Sequence, residues 1–403
     1  MKHRIVVLGA GYAGVHVAAN VARRMVSADV GITVVNAEPD FVQRLRLHQL
    51  AAGQDVEAPR LAEVFAGTGV RLRLARVTAI DPEAGVVAVA DAGGGGGGEI
   101  GYDTLVYALG SRGADRGVPG AAEYAFDVAG RPSALRLRER LDGVGDGGRV
   151  VVVGDGLTGI ETATEIAESR PGLSVALVAR GELGAPLSPG ARGHLRRACE
   201  RLGVDVRERT EVEAVEAARV LCTGGTALAS DATVWTAGFA VDPIAAAGGL
   251  DVTEHGRIVV DRTMRSRSHP NVYAAGDSVH AVRDNGRPLP MSCASAGETG
   301  RQATAAILGR LTGREVPHTR LTYVGNHISL GRRDGILQFV DAEGRAKPTY
   351  VGGRKAARIK SGILNMSLWA TRHPTFGLPH RRRRPAPVPD VSAGREDGRV
   401  AAS

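Results

Sequence analysis

The chain has 403 residues, of which 43% are hydrophobic and 23% charged, the composition of a globular protein with about two or three domains. Aromatic residues make up only 4%, which argues against a stacking platform for single-stranded nucleic acid. The net charge of +8 is unevenly placed: eleven Lys and Arg, and no Asp or Glu, fall within residues 345–384, leaving the rest of the chain near neutral.

In chain order, "RIVVL" predicts a strand at Arg4–Leu8, followed by the glycine turn Gly9-Ala-Gly11-Tyr-Ala-Gly14 and a helix to about Met25. The apolar start runs directly into that turn, so it reads as a strand and not as a secretory signal. Another strand is expected at Ile32–Val35. Short strands follow from residue 70, with the six glycines Gly93–Gly98 predicted as a mobile hairpin tip, and "LVYAL" gives a buried strand at 105–109.

Gly143–Gly148 marks a boundary, after which the pattern restarts. Val150–Val153 is predicted as a strand, Gly154–Gly159 as a turn and Ile160–Glu168 as a helix. "LSVALVAR", the helix "GARGHLRRACERLG" and "ATVWTAG" continue this second unit to Gly238. Strands alternating with helices imply parallel sheets covered on both faces. No apolar run is long enough to predict a transmembrane helix.

The glycine turns carry the first chemical signal. In G-x-G-x-x-G between strand and helix, the first glycine makes the tight turn and the second lets a pyrophosphate approach the backbone. The third lets the helix pack on the sheet, with its N-terminus toward the phosphates. Gly9, Gly11 and Gly14 form one such grip and Gly154, Gly156 and Gly159 a second. Two dinucleotides are expected to meet.

At the ribose-reading place of the first unit stands Asn36, with Glu38 two residues on; each also reads as a turn residue before Pro39. In the second unit that place holds Ala179, followed by Arg180. The missing acid leaves room for NADPH beside NADH, while a solvent-facing arginine is the plain alternative. The cysteines, Cys199, Cys222 and Cys293, are widely spaced and suggest free thiols with no metal site.

The paired grips together with "DTLVYALGS" (103–111), "VWTAGF" (234–239) and "NVYAAGDSV" (271–279) resemble the two-dinucleotide-binding flavoproteins. The order is most similar to type II NADH dehydrogenases and apoptosis-inducing-factor-like proteins. The resemblance implies an α/β fold of two Rossmann-type domains, with an NAD(P)H domain inserted in an FAD domain, plus a C-terminal module. The expected boundaries are 1–115 and 243–318 for FAD, 116–242 for NAD(P)H, 319–380 for the module and 381–403 for a disordered basic tail.

It also implies roles for single residues. Asp277 would hydrogen-bond the flavin ribityl chain, the backbone near Val77 would contact the adenine, and Gly110, Gly238 and Gly276 would be further cofactor-binding positions. Glu161 matches a glutamate near the nicotinamide and becomes the candidate catalytic residue; an acid complementing the helix dipole is an equal reading. The cysteine pair of disulfide reductases is missing from residues 36–60. Cys293 has no evident redox partner, which speaks against a sulfide:quinone reductase. Ala294 and Glu298 stand where type II enzymes carry quinone-lining glutamines, which weakens the quinone assignment.

The expected activity is FAD-dependent NAD(P)H oxidation. Its acceptor is a quinone, or alternatively a soluble electron carrier or biosynthetic intermediate; a redox-sensing flavoprotein with little turnover is a third reading. The segment 354–384 mixes cations with Ile359, Ile363, Leu364, Met366, Leu368 and Trp369. It reads as a helix for an anionic membrane surface or as one packed on the body with a solvated basic face. Nucleic acid is not an expected partner, a homodimer is left open, and the expected location is the cytoplasm or the inner face of the cell membrane.

Overall fold

The structure, a computed structural model, describes residues 2–91, 96–317, 320–377 and 381–386. The unbroken apolar run Ile5–Leu8 produces β1 (His3–Leu8), buried on both faces from Ile5 onward. Helix α1 (Tyr12–Arg24) leaves the first glycine turn and returns the chain to β2 (Val30–Asn36). Next come β3 (Val70–Asp81), β4 (Val86–Asp91), β5 (Gly97–Gly101) and β6 (Thr104–Tyr107). Gly97 and Gly98 pair with Ala90 and Val89, so the glycine run is part strand: without side chains, its backbone still satisfies the sheet ladder. Gly93–Gly95 lie outside the described residues.

The second unit contributes β7 (Arg149–Val153), β8 (Ser174–Val178), β9 (Asp205–Arg207) and β10 (Ala232–Trp235). These form a parallel sheet in the order β9-β8-β7-β10, with Ala125–Phe126 at its edge. Helix α2 (Leu157–Ser169) leaves the second glycine turn. The crossings into and out of this unit, Arg112–Gly113 and Phe239–Ala240, pair antiparallel with each other. The chain then returns to the first sheet through β11 (Val272–Ala274), giving the order β11-β6-β1-β2-β3-β4-β5. In each sheet the strand order reverses beside the strand that feeds the glycine turn, which is where open α/β sheets bind ligands.

Helix α3 (Cys293–Thr312) packs on α1, and its N-cap Ser292 accepts from the Ser295 N–H. A three-stranded antiparallel sheet follows: β12 (Gly325–Ser329), β13 (Gly335–Val340) and β14 (Ala346–Gly352). Helix α4 (Gly353–Arg372) crosses β13 and ends the module. Residues 381–386, expected in a disordered tail, lie along the first unit. Arg383 bridges Met25, its N–H donating to the Arg24 carbonyl (2.8 Å), and Ala386 donates to the Leu311 carbonyl (2.7 Å). Backbone hydrogen bonds tie the arginine run to that unit; residues 387–403 lie outside the described residues.

Candidate functional site

The two glycine turns share one geometry. Gly9 and Gly154 take φ of +91° and +116°, open to glycine and costly for other residues. A Cβ on Gly14 would fall on the Gly9 carbonyl oxygen, and one on Gly159 on that of Gly154. Gly11 and Gly156, by contrast, face open space within 4 Å. Each turn is therefore closed by its outer glycines and open at its middle one, the shape that admits a pyrophosphate.

Around the first turn, one cavity is lined by Gly9, Asn36, Val77, Leu109, Gly110 and Asp242, among others. A second runs along Gly11, Tyr12, Arg44, Gly276, Asp277 and Cys293. Asn36 borders both, yet its two ends are engaged: its Oδ1 accepts from the Ala10 N–H (2.9 Å) and its Nδ2 donates to the Glu38 carbonyl (2.7 Å). Glu38 is exposed and does not line these cavities. The sequence marked Asn36 as ribose-reading; here it holds the turn to the end of β2.

Asp277 sits in a chain of contacts that joins three segments. Ser111 donates to Asp277 Oδ2 (2.6 Å), and Arg44 donates to Ser111 Oγ (3.1 Å) and to its carbonyl (2.7 Å). The Arg44 guanidinium also stands 6.0 Å from the Phe239 ring centroid. Gly110 and Gly276 both have positive φ, and their N–H groups donate to Ser278 Oγ and Thr299 Oγ1, each at 3.0 Å.

The second turn opens on a cavity of about 630 Å³ lined by Gly154, Gly156, Thr158, Arg180, Gly238 and Arg116, among others. Between the grips lies another, of about 390 Å³, bordered by Arg44, His48, Glu161, Asp277, Cys293 and Lys360. Leu157, Thr158, Phe239 and Met291 line both of these. Arg44, Asp277, Ser292 and Cys293 line both the central cavity and the first grip. The three spaces thus share walls along one route.

Glu161, the fifth residue of α2, is ion-paired to Lys360 of α4 and accepts from the Ser329 N–H (2.9 Å). Lys360 also donates to the His327 carbonyl (3.1 Å). Burial, aided by the Arg46 charge, pulls the Lys360 pKa down to about 7. His48 Nδ1 lies 4.0 Å from Glu161 Oε2, but burial first, then the charges of Lys360 and Arg46, lower its pKa to about 3 and keep it neutral. Its Nε2 is buried without a hydrogen-bond partner, a polar atom left for whatever fills the cavity.

Cys293 borders the same space. Burial, then the nearby Asp277 charge, push its pKa up to about 12, so it is held as a thiol. Cys199 and Cys222 are buried in other cores, and so give it no partner. Ala294 lines the cavity; Glu298 instead pairs with Arg301. Among the described residues no cluster of His, Cys, Asp and Glu could hold a metal ion.

The residues that sequence reasoning missed are Arg44, His48, Ser111, Phe239 and the inward role of Lys360. One signal was present for Lys360. Ala356, Lys360 and Leu364 recur every fourth residue and form the buried stripe of α4. The apolar residues Ile359, Ile363, Met366 and Trp369 are instead exposed, with Arg354, Lys355 and Arg358 beside them. The helix is thus packed on the body, as one of the two sequence readings had it, yet its open face is apolar as well as basic. No described helix is long and apolar enough to cross a membrane.

Residues 3–300 match the pyridine nucleotide-disulphide oxidoreductase family. The chain is 31% identical over 387 residues to an NADH dehydrogenase-like protein of Mycobacterium tuberculosis, covering 89% of this chain and 92% of that one. It is 25% identical over 383 residues to a type II NADH:quinone oxidoreductase of the same organism, covering 84% and 79%. Its fold is similar to that of NDH2 from Plasmodium falciparum, solved in complex with NADH, with a TM-score of 0.78 at 14% identity over 93% and 97% of the chains.

Proposed function

Because the chain belongs to the pyridine nucleotide-disulphide oxidoreductase family, we propose that this oxidoreductase is an FAD-dependent NAD(P)H:quinone reductase working at a membrane surface. The observation that carries this reading is the shared wall of Leu157, Thr158, Phe239 and Met291, which joins the second grip to the central cavity. Gly9, Gly11, Gly14, Val77, Gly110, Gly276 and Asp277 would hold FAD. Gly154, Gly156, Gly159, Arg180 and Gly238 would hold the nicotinamide nucleotide. The open middle glycines fit both groups.

FAD, when bound, supplies acceptance of a hydride and release of two electrons. The chain supplies position and a proton. Lys360 Nζ, poised near neutrality and fixed by Glu161 and the His327 carbonyl, can hold and yield a proton inside the cavity. Ile363 lines that cavity and is also exposed, so an acceptor can enter from the apolar face of α4. Exposed Ile359, Met366, Trp369 and Phe376 beside basic residues suit an anionic lipid surface.

Ala294, in place of a polar side chain at the cavity wall, favours a second reading in which the acceptor is a soluble electron carrier. Anaerobic reduction of the bound flavin by NADH or NADPH, followed by reoxidation with a short-chain quinone, tests both. No reduction by either nicotinamide refutes the enzyme reading. Reoxidation by quinone no faster than by oxygen leaves the soluble carrier.

A further inference from the structure

We propose that the second grip selects NADPH over NADH, and that Arg180 is the residue that meets the 2′-phosphate. This rests on the reading of that grip as the nicotinamide nucleotide site. In a Rossmann unit an acid near the end of the second strand binds the ribose diol and repels a 2′-phosphate. Here that place is Ala179, fully buried, with its N–H donating to the Arg207 carbonyl (2.8 Å) and its carbonyl accepting from the Thr210 N–H (3.0 Å). It offers a methyl group, and its backbone is fixed by both neighbours.

Arg180 follows at once, exposed and lining the cavity with Gly154 and Gly156. Among the described residues no carboxylate is ion-paired with it. Two carboxylates of the flanking segments are held elsewhere: Glu182 pairs with Arg192 (2.8 Å) and Arg196 (3.4 Å), and Glu208 with Arg196 (2.6 Å). A second cation, Arg209, is exposed on the adjoining loop, its N–H donating to the Gly181 carbonyl (3.0 Å). The rim beside Ala179 therefore carries two exposed arginines, while Glu182 and Glu208 are paired to other cations. Asp155 and Glu211 also border the cavity; Asp155 lies within the glycine turn, while Glu211 is exposed on the rim.

A guanidinium matches a phosphate by forked, charge-assisted hydrogen bonds. Calorimetric titration of the holoenzyme with NADP⁺ and NAD⁺ tests the assignment without turnover. NADP⁺ is expected to bind about tenfold or more tightly at low salt, with 2′,5′-ADP displacing it and the preference shrinking as salt rises. Arg180→Ala should abolish most of the difference, weakening NADP⁺ far more than NAD⁺. Equal affinities, or tighter NAD⁺, overturn this inference alone; binding of neither nucleotide overturns the site reading with it. Specific weakening of NAD⁺ by Glu211→Gln, with NADP⁺ indifferent to Arg180→Ala, would assign the rim to a 2′-hydroxyl.

Discussion

Lys360 of α4 and Glu161 of α2, 199 positions apart in sequence, form a buried ion pair at the wall between the two nucleotide grips. Burial and the nearby Arg46 charge bring the Lys360 ammonium to the edge of losing its proton near neutrality. The expected consequence is a falling limb near pH 7 in the quinone-reducing half-reaction, as Lys360 loses its proton. Lys360→Met should remove that limb and slow the half-reaction by about 100-fold, while reduction of the flavin by nicotinamide changes far less. Glu161→Gln should shift the limb to lower pH, because the ammonium loses its supporting carboxylate. Stopped-flow measurement of each half-reaction across pH checks both.

Stability carries the same signature. An unfolded lysine keeps its proton to about pH 10.4, whereas the folded Lys360 gives it up near 7. Between those values the unfolded chain binds more protons, so stability contributed by this group rises with pH; below 7 both states are protonated and the contribution is flat. The double variant Glu161→Gln/Lys360→Met should flatten the rise in Tm between pH 7 and 10. Its stability at pH 7 should be unchanged or higher, since replacing a buried pair by neutral groups is often neutral.

Gly159→Ala addresses the second grip alone. Its new Cβ would collide with the Gly154 carbonyl and lie 2.7 Å from Thr236 Oγ1. A loss of roughly 1–3 kcal/mol in stability is expected, as for other overpacked sites. Flavin content of the purified protein should be retained while nicotinamide binding is lost. Absorbance spectra and calorimetry separate the two.

The exposed face of α4 makes a third claim testable without touching the cavity. Ile359, Met366 and Trp369 are 45%, 64% and 40% exposed and do not line the central cavity. Replacing all three with serine should reduce co-sedimentation with anionic vesicles by about tenfold or more, given the transfer energy of three large side chains. Turnover with a water-soluble quinone should stay within about twofold. Equal vesicle binding by the variant would remove α4 as the contact.

The glycine turns were legible in the sequence because their geometry is local: strand, three glycines and helix lie within a few residues. The same locality located Asn36 and Ala179. What it left open at Asn36 was which bonds the side chain makes, since Ala10 and Glu38 compete for it with any ribose. His48, Arg44 and Lys360 were not legible as a site, for their meeting depends on long-range packing of α4 and β12 onto α2. The basic run was read by its charge, yet one of its cations faces inward, and the apolar residues beside it face out. Arg383, read as part of a disordered tail, pairs with Met25 through its backbone, a contact that charge patterning does not reveal.

The distance in sequence between Glu161 and Lys360 also bears on biosynthesis. A ribosome builds Gly9 through Asp277 before it reaches Lys360, so a growing chain presents both nucleotide grips while the cavity between them still lacks its cation. Until α4 docks, Glu161 has no ammonium opposite it and the face that would meet lipid does not exist. If Lys360 and the exposed face of α4 act as proposed, proton supply and surface attachment would arrive together, when α4 docks.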